Sequence, residues 1–231
     1  MSQKINHALI MAAGRGLRMM PLTQVFPKAM APFKESTLIA DGIKKIKNHL
    51  DFVHITVGYK GAALASHVIE KNVSSVFNTE GKGNAWWLFN TPLKYLNEPI
   101  FVLTCDNVLE LDFLELNNDY LDKGSPPCMV VPVKPVKGLG GDYIFHEDNK
   151  IKQLNRDKKS DLYCSGIQIL NPHVINTKMP PYEEFYKVWE KLIDLEQLYC
   201  STVIPSCIRY SLCSDSTKCG THNVIIRGDF L

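Results

Sequence analysis

The stretch that most constrains this chain is residues 8–33, ALIMAAGRGLRMMPLTQVFPKAMAPF. It opens with an apolar run, residues 8–12, which predicts a short buried strand. Gly14 and Gly16 follow, and they remove two Cβ atoms where the backbone must turn and stay open to a partner. In open α/β sheets ligands bind at the carboxyl ends of the strands, so this turn is a candidate binding site.

Three cations lie within or just after the glycine turn, and no acidic residue comes before Glu35. They are Arg15, Arg18 and Lys28. Backbone N–H groups of a glycine-rich turn, backed by fixed cations, form a site for a polyphosphate. The three prolines of this stretch also limit the freedom of the segment that carries Lys28. We therefore predict a nucleoside triphosphate site.

The spacing differs from two common phosphate motifs. Residue 19 is Met, so G-x-G-x-x-G is incomplete, and no Gly-Lys-Ser/Thr follows the turn, so it is not a P-loop. Two glycines after a strand also occur in ordinary turns. Taken alone, the two glycines leave a plain turn and a phosphate site both open.

The whole string is more specific. The stretch consists of an apolar strand followed by A-A-G-x-G-x-R, P-L-T, P-K and P-F. This order of segments resembles the signature of the sugar-nucleotide nucleotidyltransferases, or NDP-sugar pyrophosphorylases. The bacterial-type phosphocholine cytidylyltransferases are close relatives of that family. The resemblance implies an α/β fold of the GT-A-like kind, a Rossmann-like three-layer sandwich with a mostly parallel, mixed central sheet.

The resemblance also implies a reaction. A nucleoside monophosphate passes from a nucleoside triphosphate to a sugar 1-phosphate, and pyrophosphate leaves. Arg18 and Lys28 would be catalytic, with Arg18 on the leaving phosphates and Lys28 between the α-phosphate and the incoming phosphate. The nucleotide would be bound by Ala12, Ala13, Gly14, Arg15 and Gly16.

Strands and helices alternate along the first half of the chain. The apolar pattern predicts strands at 52–57, 73–77 and 99–104, with helices at 36–50, 62–70 and 86–89 between them. This alternation indicates a parallel sheet, and the glycine and charge features fall at the carboxyl ends of its strands. The second half predicts strands at 128–133 and 163–170, a hairpin over 143–154 and a helix over 180–198.

Asp106 is the candidate metal ligand. It follows the predicted strand at 99–104, so it faces the same crevice as the glycine turn, and Mg²⁺ prefers carboxylate and phosphate oxygens. A plain turn or helix-capping Asp is the alternative. FVLTCDN resembles the family segment that carries the metal-binding Asp, which implies Mg²⁺ as cofactor and places Asp106 beside the acceptor as well.

Residues 78–85, NTEGKGNA, resemble the family loop E-P-L-G-T-A-G-A, which touches the base and ribose. Glu80, Gly83 and Ala85 match, while the residues between them depart. The resemblance assigns nucleotide binding to Asn78, Glu80, Gly83 and Asn84. Trp86 and Trp87 replace small residues, and both helix packing and stacking on a base remain open for them.

The acceptor side is recognised by weaker matches. Residues 138–143 and 163–170 resemble family segments near the sugar, which implies acceptor contacts from Gly141, Ser165 and Gly166. The lysine of the family's E-K-P triplet is displaced in 155–158, or its role has passed to Arg156. Residues 219–222 resemble the end of D-x-G-T, but Lys218 stands where a second metal-binding Asp is expected, and Asp215 is a possible substitute.

Composition and charge limit the classes of partner that the sequence predicts. The net charge of +2 and the absence of a basic stripe give no case for nucleic acid. No signal peptide or membrane span is predicted, and seven cysteines without paired spacing indicate reduced thiols in the cytoplasm. We expect one domain over 1–231, with a nucleotide-binding half at about 1–110 and an acceptor-binding half at about 111–231. No C-terminal β-helix is expected, and a homo-oligomer is possible.

The sequence leaves two questions open, namely which acceptor is used and whether the protein has turnover. Phosphocholine or another small phosphate could replace the sugar phosphate, which would suit the compact length and the tryptophans after the loop. Because Lys218 replaces an expected Asp, a nucleotide-binding regulatory protein without turnover is a second alternative. A dinucleotide dehydrogenase is disfavoured, since the third glycine and the acidic residue about 20 positions further on are missing. The sequence does not identify the base.

Overall fold

The computed structural model describes residues 4–105, 107–109, 111–135, 141–205 and 207–209. Side chains are described for the same residues except Arg18, 107–109 and 207–209. The strands are β1 (His7–Met11), β2 (Pro32–Phe33), β3 (Ser36–Thr37), β4 (Phe52–Val57), β5 (Ser75–Asn78), β6 (Ile100–Thr104), β7 (Asn107–Leu109), β8 (Cys128–Val133), β9 (Tyr143–Glu147), β10 (Lys150–Asn155), β11 (Tyr163–Leu170), β12 (Leu198–Cys200) and β13 (Cys207–Arg209). The α-helices are α1 (Leu22–Val25), α2 (Leu38–Lys47), α3 (Gly61–Ile69), α4 (Trp86–Asn90), α5 (Phe113–Asp122), α6 (Pro172–Lys178) and α7 (Phe185–Asp194). Short 3₁₀ helices cover Leu17–Met19, Lys28–Met30 and Pro92–Tyr95.

A mixed sheet of nine described strands forms the centre of the molecule, in the order β5-β4-β1-β6-β11-β8-β12-β10-β9. The strands β5, β4, β1 and β6 are all parallel, so their carboxyl ends meet at one edge. From β6 onward the sheet continues through antiparallel pairs to β11 and β8, with β12 parallel to β8. The sheet is therefore parallel where the nucleotide site is predicted and mixed where the acceptor site is predicted.

Both faces of the sheet are covered. Along β1, Ala8 and Ile10 belong to one apolar cluster and Leu9 to the other, and all three are at most 2% exposed. Burial on both faces is typical of a parallel strand, whose crossover helices lie above and below it. The first cluster includes apolar residues of α2, α3 and α5, and the second includes residues of α4, α6 and α7. This three-layer arrangement confirms the predicted α/β sandwich.

Several predicted elements have the observed bounds. The strands predicted at 52–57, 128–133 and 163–170 match β4, β8 and β11. The hairpin of β9 and β10 turns at Asp148 and Asn149, which both have positive φ, as a two-residue type I′ turn requires.

The helix predicted over 180–198 was too long at both ends. Pro180 and Pro181 precede the helix, and α7 begins only after Glu184. At the other end Glu196 has a φ of 55°, which stops the helix, and β12 then pairs with β8. Apolar periodicity alone could not separate the last helical turn from a short strand, because both are buried. In the described part of the chain, no helix is long and apolar enough to cross a membrane.

Candidate nucleotide-binding site

The glycine turn is fixed to the end of β4. The backbone N–H of Ala12 lies 3.2 Å from both the carbonyl and the hydroxyl oxygen of Thr56, and the N–H of Tyr59 donates to the carbonyl of Ala13 at 3.1 Å. Ala12 is buried, whereas Gly14 and Arg15 are exposed. The start of the turn is therefore anchored in the sheet and its tip faces solvent.

Gly16 brings the turn and Lys28 together. Its backbone is left-handed, with φ 62° and ψ 43°, which costs a side-chain-bearing residue about 1 kcal/mol. A Cβ atom at this position would also lie 2.7 Å from the Cβ of Lys28. The carbonyl of Gly16 accepts hydrogen bonds from the N–H of Met19 and the hydroxyl of Thr23, at 2.9 and 3.1 Å. The predicted proximity of the turn and the lysine is thus present in the fold.

The segment between the turn and Lys28 is braced by two residues that follow β4. The hydroxyl of Tyr59 donates to the carbonyl of Thr23 at 3.1 Å, and the ammonium of Lys60 donates to the carbonyls of Gln24 and Val25 at 2.5 and 2.9 Å. The guanidinium of Arg15 lies 5.6 Å from the centre of the Tyr59 ring. Sequence reasoning gave these two residues no role. The signal that could have found them is a Tyr-Lys pair one residue beyond the end of a parallel strand.

The end of β6 lies beside the turn as well. The N–H of Cys105 donates to the carbonyl of Met11 at 3.1 Å, which aligns the chain just before Asp106 with the chain just before Ala12. Asp106 itself lies outside the described residues, as do the side chain of Arg18, residues 138–140, Asp215, Lys218 and residues 219–222.

The loop 78–85 starts at the same edge of the sheet. The N–H of Thr79 donates to the carbonyl of Val57 at 2.7 Å, and the N–H of Glu80 donates to the side-chain oxygen of Asn78 at 3.0 Å. The side chains of Asn78 and Glu80 are exposed. The first half of this loop is therefore placed next to the glycine turn, on the side of β4.

The second half of the loop is engaged within the protein. The N–H of Gly83 donates to the carboxylate of Glu183 at 2.9 Å, and the amide oxygen of Asn84 accepts from the N–H of Phe185 at 2.7 Å. Trp87 is 1% exposed and packs against Phe185, with ring centres 6.2 Å apart. Of the two roles left open for Trp87, the structure shows helix packing.

Trp86 differs from its neighbour. It is only partly buried, and the ammonium of Lys82 lies 5.6 Å from the centre of its ring. This cation–π contact joins the tip of the loop to the start of α4.

The predicted acceptor residues lie around β11. The hydroxyl of Ser165 is buried, donates to the carbonyl of Val131 at 2.6 Å and accepts from the N–H of Ile167 at 3.0 Å. Gly166 has a φ of 83° at the point where the register of β11 and β8 shifts. Ser165 therefore supports an irregularity of the sheet, and Gly166 supplies its backbone conformation.

Gly141 lies on the other side of β11. A Cβ atom there would come within 2.6 Å of the ring of Tyr163, so only glycine fits. The next residue, Asp142, is 4% exposed and accepts a hydrogen bond from Arg156 Nε at 3.1 Å. Arg156, one of the two candidates for the role of the family lysine, is thereby held near Gly141.

Comparison with known proteins identifies the family. The family model described as nucleotidyl transferase matches residues 7–204. The chain belongs to this family. It is 30% identical over 168 residues to the bifunctional protein GlmU of Methanococcus maripaludis, covering 69% of this chain and 38% of that protein. It is 27% identical over 208 residues to a mannose-1-phosphate guanyltransferase of Pichia angusta, covering 83% of this chain and 57% of that protein.

The fold of this nucleotidyl transferase agrees with solved structures. A putative glucose-1-phosphate thymidylyltransferase from Bacillus anthracis superposes with a TM-score of 0.73 at 16% identity, covering 88% of this chain and 89% of that one. The chain thus spans 38% and 57% of these two curated relatives, but 89% of this solved structure.

Three buried cysteines of this nucleotidyl transferase, Cys128, Cys164 and Cys200, are poor nucleophiles. Burial raises the pKa of the Cys200 thiol to about 12, and burial also raises the pKa of Cys128 and Cys164 above the ordinary value. These groups therefore stay protonated near neutral pH.

The fit of a metal ion can be judged from the donor set. Among the described residues, no three His, Cys, Asp or Glu side chains lie close enough to hold a metal ion. The hydroxyl of Thr104, at the end of β6, is buried and has no hydrogen-bond partner among the residues that the structure describes. Mg²⁺ commonly takes one or two carboxylates and completes its shell with substrate phosphates and water. A single carboxylate after β6 fits that mode of binding.

Proposed function

We propose that this nucleotidyl transferase makes an NDP-sugar from a nucleoside triphosphate and a sugar 1-phosphate. The observation that carries the proposal is the contact between Gly16 and Lys28 at the carboxyl edge of the parallel strands. It sets a cation against a turn with exposed backbone, beside the end of β6. The family membership and the substrates named for several relatives support the same reaction.

The reaction needs charge neutralisation more than proton transfer. An oxygen of the sugar phosphate attacks the α-phosphorus, a new P–O bond forms, and the bond to the bridging oxygen breaks as pyrophosphate leaves with its electron pair. Both reactants are anions, so their approach must be offset by positive charge. Lys28, on its braced segment, would lie between the α-phosphate and the incoming phosphate. The glycine turn and Arg18 would hold the leaving phosphates.

Mg²⁺ is the proposed cofactor, and Asp106 is the residue proposed to hold it. When bound, the ion supplies positive charge to the triphosphate and limits its orientations. The protein's own part would be to hold that carboxylate near the turn, and the hydrogen bond between Cys105 and Met11 at the end of β6 supports this proposal.

The two substrates would occupy opposite sides of β6. Ala12, Ala13, Gly14, Arg15 and Gly16, with Asn78 and Glu80 of the loop, would take the nucleotide. Gly141, Ser165, Gly166 and Arg156 would surround the acceptor, mainly through the backbone, because the hydroxyl of Ser165 is used within the sheet. We assign both halves to one domain. Cys128, Cys164 and Cys200 are free thiols, which suits a reducing compartment such as the cytoplasm.

Pyrophosphate release tests the proposal directly. The protein is incubated with Mg²⁺, each of the four ribonucleoside triphosphates or dTTP, and mannose 1-phosphate, glucose 1-phosphate or phosphocholine. Mannose 1-phosphate with GTP is the first pair to test, because the guanyltransferase relative covers most of this chain. We expect one sugar phosphate to support turnover. Release with phosphocholine alone would identify a cytidylyltransferase instead, and bound triphosphate without release in any pair would indicate a regulatory protein.

A further inference from the structure

Three hydrogen bonds join the end of the nucleotide loop to the start of α7, about a hundred residues away. The N–H of Gly83 donates to the carboxylate of Glu183 at 2.9 Å, and the N–H of Ala85 donates to the carbonyl of Glu183 at 2.8 Å. In the opposite direction, the N–H of Phe185 donates to the amide oxygen of Asn84 at 2.7 Å. We call these five residues the loop clamp. Two of its three bonds end on Glu183.

The loop clamp is closely packed. A Cβ atom at residue 83 would overlap the carbonyl oxygen of Glu183, so the two backbones approach as closely as glycine allows. Ala85 is fully buried and Phe185 is 2% exposed, and the latter lies between Trp87 and Trp189. The inner side of the clamp is therefore rigid, while the carboxylate of Glu183 lies on its exposed side.

The loop is consequently held at two points that belong to different parts of the chain. Its start is tied to the end of β4 through Thr79, and its end is tied to α7 through the loop clamp. Between them, residues 80–82 are exposed. If the loop lies against the base, as proposed, the position of its exposed part is decided jointly by these two anchors.

We propose that Glu183 is a positioning residue that sets the loop for nucleotide binding, although it belongs to the acceptor-binding half. The inference rests on the proposed function. A carboxylate that accepts from a backbone N–H makes a stronger bond than a neutral acceptor, so it fixes the loop in advance of binding. A loop ordered in advance loses less freedom when the nucleotide binds. Glu183 thus acts on the affinity for the nucleoside triphosphate and on the choice of base.

Kinetics of matched variants test this role. Glu183→Ala removes the side-chain acceptor, Glu183→Gln retains a neutral one, and Glu190→Ala is the control, since Glu190 lies further along α7 and pairs with Lys187. We expect Glu183→Ala to raise the KM for the productive triphosphate roughly five- to tenfold, the size expected for one partly exposed hydrogen bond to a charged group. The kcat, the KM for the sugar phosphate and the Tm should stay near wild type. Glu183→Gln should recover most of the loss.

A second variant changes the loop clamp at Gly83, the partner of Glu183. Gly83→Ala keeps the carboxylate but forces the two backbones apart, so it should raise the same KM and change the ratio of kcat/KM between competing triphosphates. Hydrogen exchange over residues 79–86 should become faster in both variants and not in Glu190→Ala.

The outcomes separate the two proposals. If the wild type turns over and Glu183→Ala has an unchanged KM and base ratio, the positioning role is wrong and the proposed function stands. A fall of Tm and kcat with a similar rise of both KM values would mean that Glu183 only supports the fold, and would likewise overturn the role. If the wild type binds none of the triphosphates, the proposed function fails, and this inference fails with it.

Discussion

At the scale of single residues, the proposed site depends on one close packing contact. Gly16 and Lys28 meet at carbon atoms, because the left-handed backbone of Gly16 turns its Cα toward the lysine side chain. Any larger residue at 16 must displace the very group that is proposed to neutralise the transferring phosphate. The glycine and the lysine therefore form one unit.

This unit predicts non-additive kinetics. Lys28→Ala should fold normally and lower kcat by about 10²–10³, as expected when one group that stabilises developing negative charge is removed. Gly16→Ala should also lower kcat, because the added Cβ atom displaces the side chain of Lys28. The double variant should be little worse than Lys28→Ala alone, measured by pyrophosphate release. Independent effects that multiply in the double variant would show that Gly16 acts on something other than Lys28.

Some residues of the proposed site could be predicted from the sequence, and others could not. The turn, Lys28 and the strand ends were predictable, because they lie within one short stretch and have a recognisable spacing. Glu183 was not, since its partner Gly83 is 100 residues away and neither residue has an unusual type or pattern. Ser165 was found as a position but not in its contacts, because a register shift between β11 and β8 cannot be seen in either strand alone.

At the scale of elements, the opposite end of the parallel strands carries a buried polar group. His54 on β4 is 7% exposed, lies 3.1 Å from His7 on β1 and hydrogen bonds to Ser75 on β5 at 2.7 Å. Burial, with a smaller contribution from His7, lowers the pKa of His54 to about 4. Three neighbouring strands are thus joined through an imidazole that stays neutral near pH 7.

Stability should therefore fall between pH 6.5 and pH 4. In this window the unfolded chain binds a proton at His54 and the folded chain does not, so the free energy of unfolding decreases as the pH falls. The full effect is about 3 kcal/mol, from the pKa difference. Urea unfolding of the wild type and of His54→Gln at several pH values checks this. The variant should lose much of the slope, whereas His146→Gln, at an exposed position of the hairpin, should keep it.

At the scale of the whole molecule, the fold and the metal should be independent. The two apolar clusters and the continuous sheet account for the packing, and the described residues contain no group of three metal-binding side chains. A metal ion held by one carboxylate and by the substrate contributes to the reaction and not to the stability of the fold.

Chelation distinguishes these roles. EDTA should abolish pyrophosphate release and leave the Tm of the nucleotide-free protein unchanged, and added Mg²⁺ should restore turnover. Asp106→Ala should fold normally and lose about 10²–10³ in rate, the effect expected for a lost charge-stabilising group. A chelator-induced drop in Tm would instead indicate a structural metal.

The continuity of the central sheet also limits how this molecule can move. Antiparallel pairing of β11 with β6, in register from Gln168 opposite Val102 to Leu170 opposite Ile100, crosses the boundary between the two proposed substrate sides. Hinge motion there would break ladder hydrogen bonds in the middle of the core, so the two sides cannot close on substrates as rigid lobes. On the proposed function, the parts of the molecule left to cover the substrates are the segments at the edge, namely residues 14–28 and the tip of the loop 78–85. Product escape would then be governed by these short segments, and stiffening either one should lengthen the residence time of the NDP-sugar.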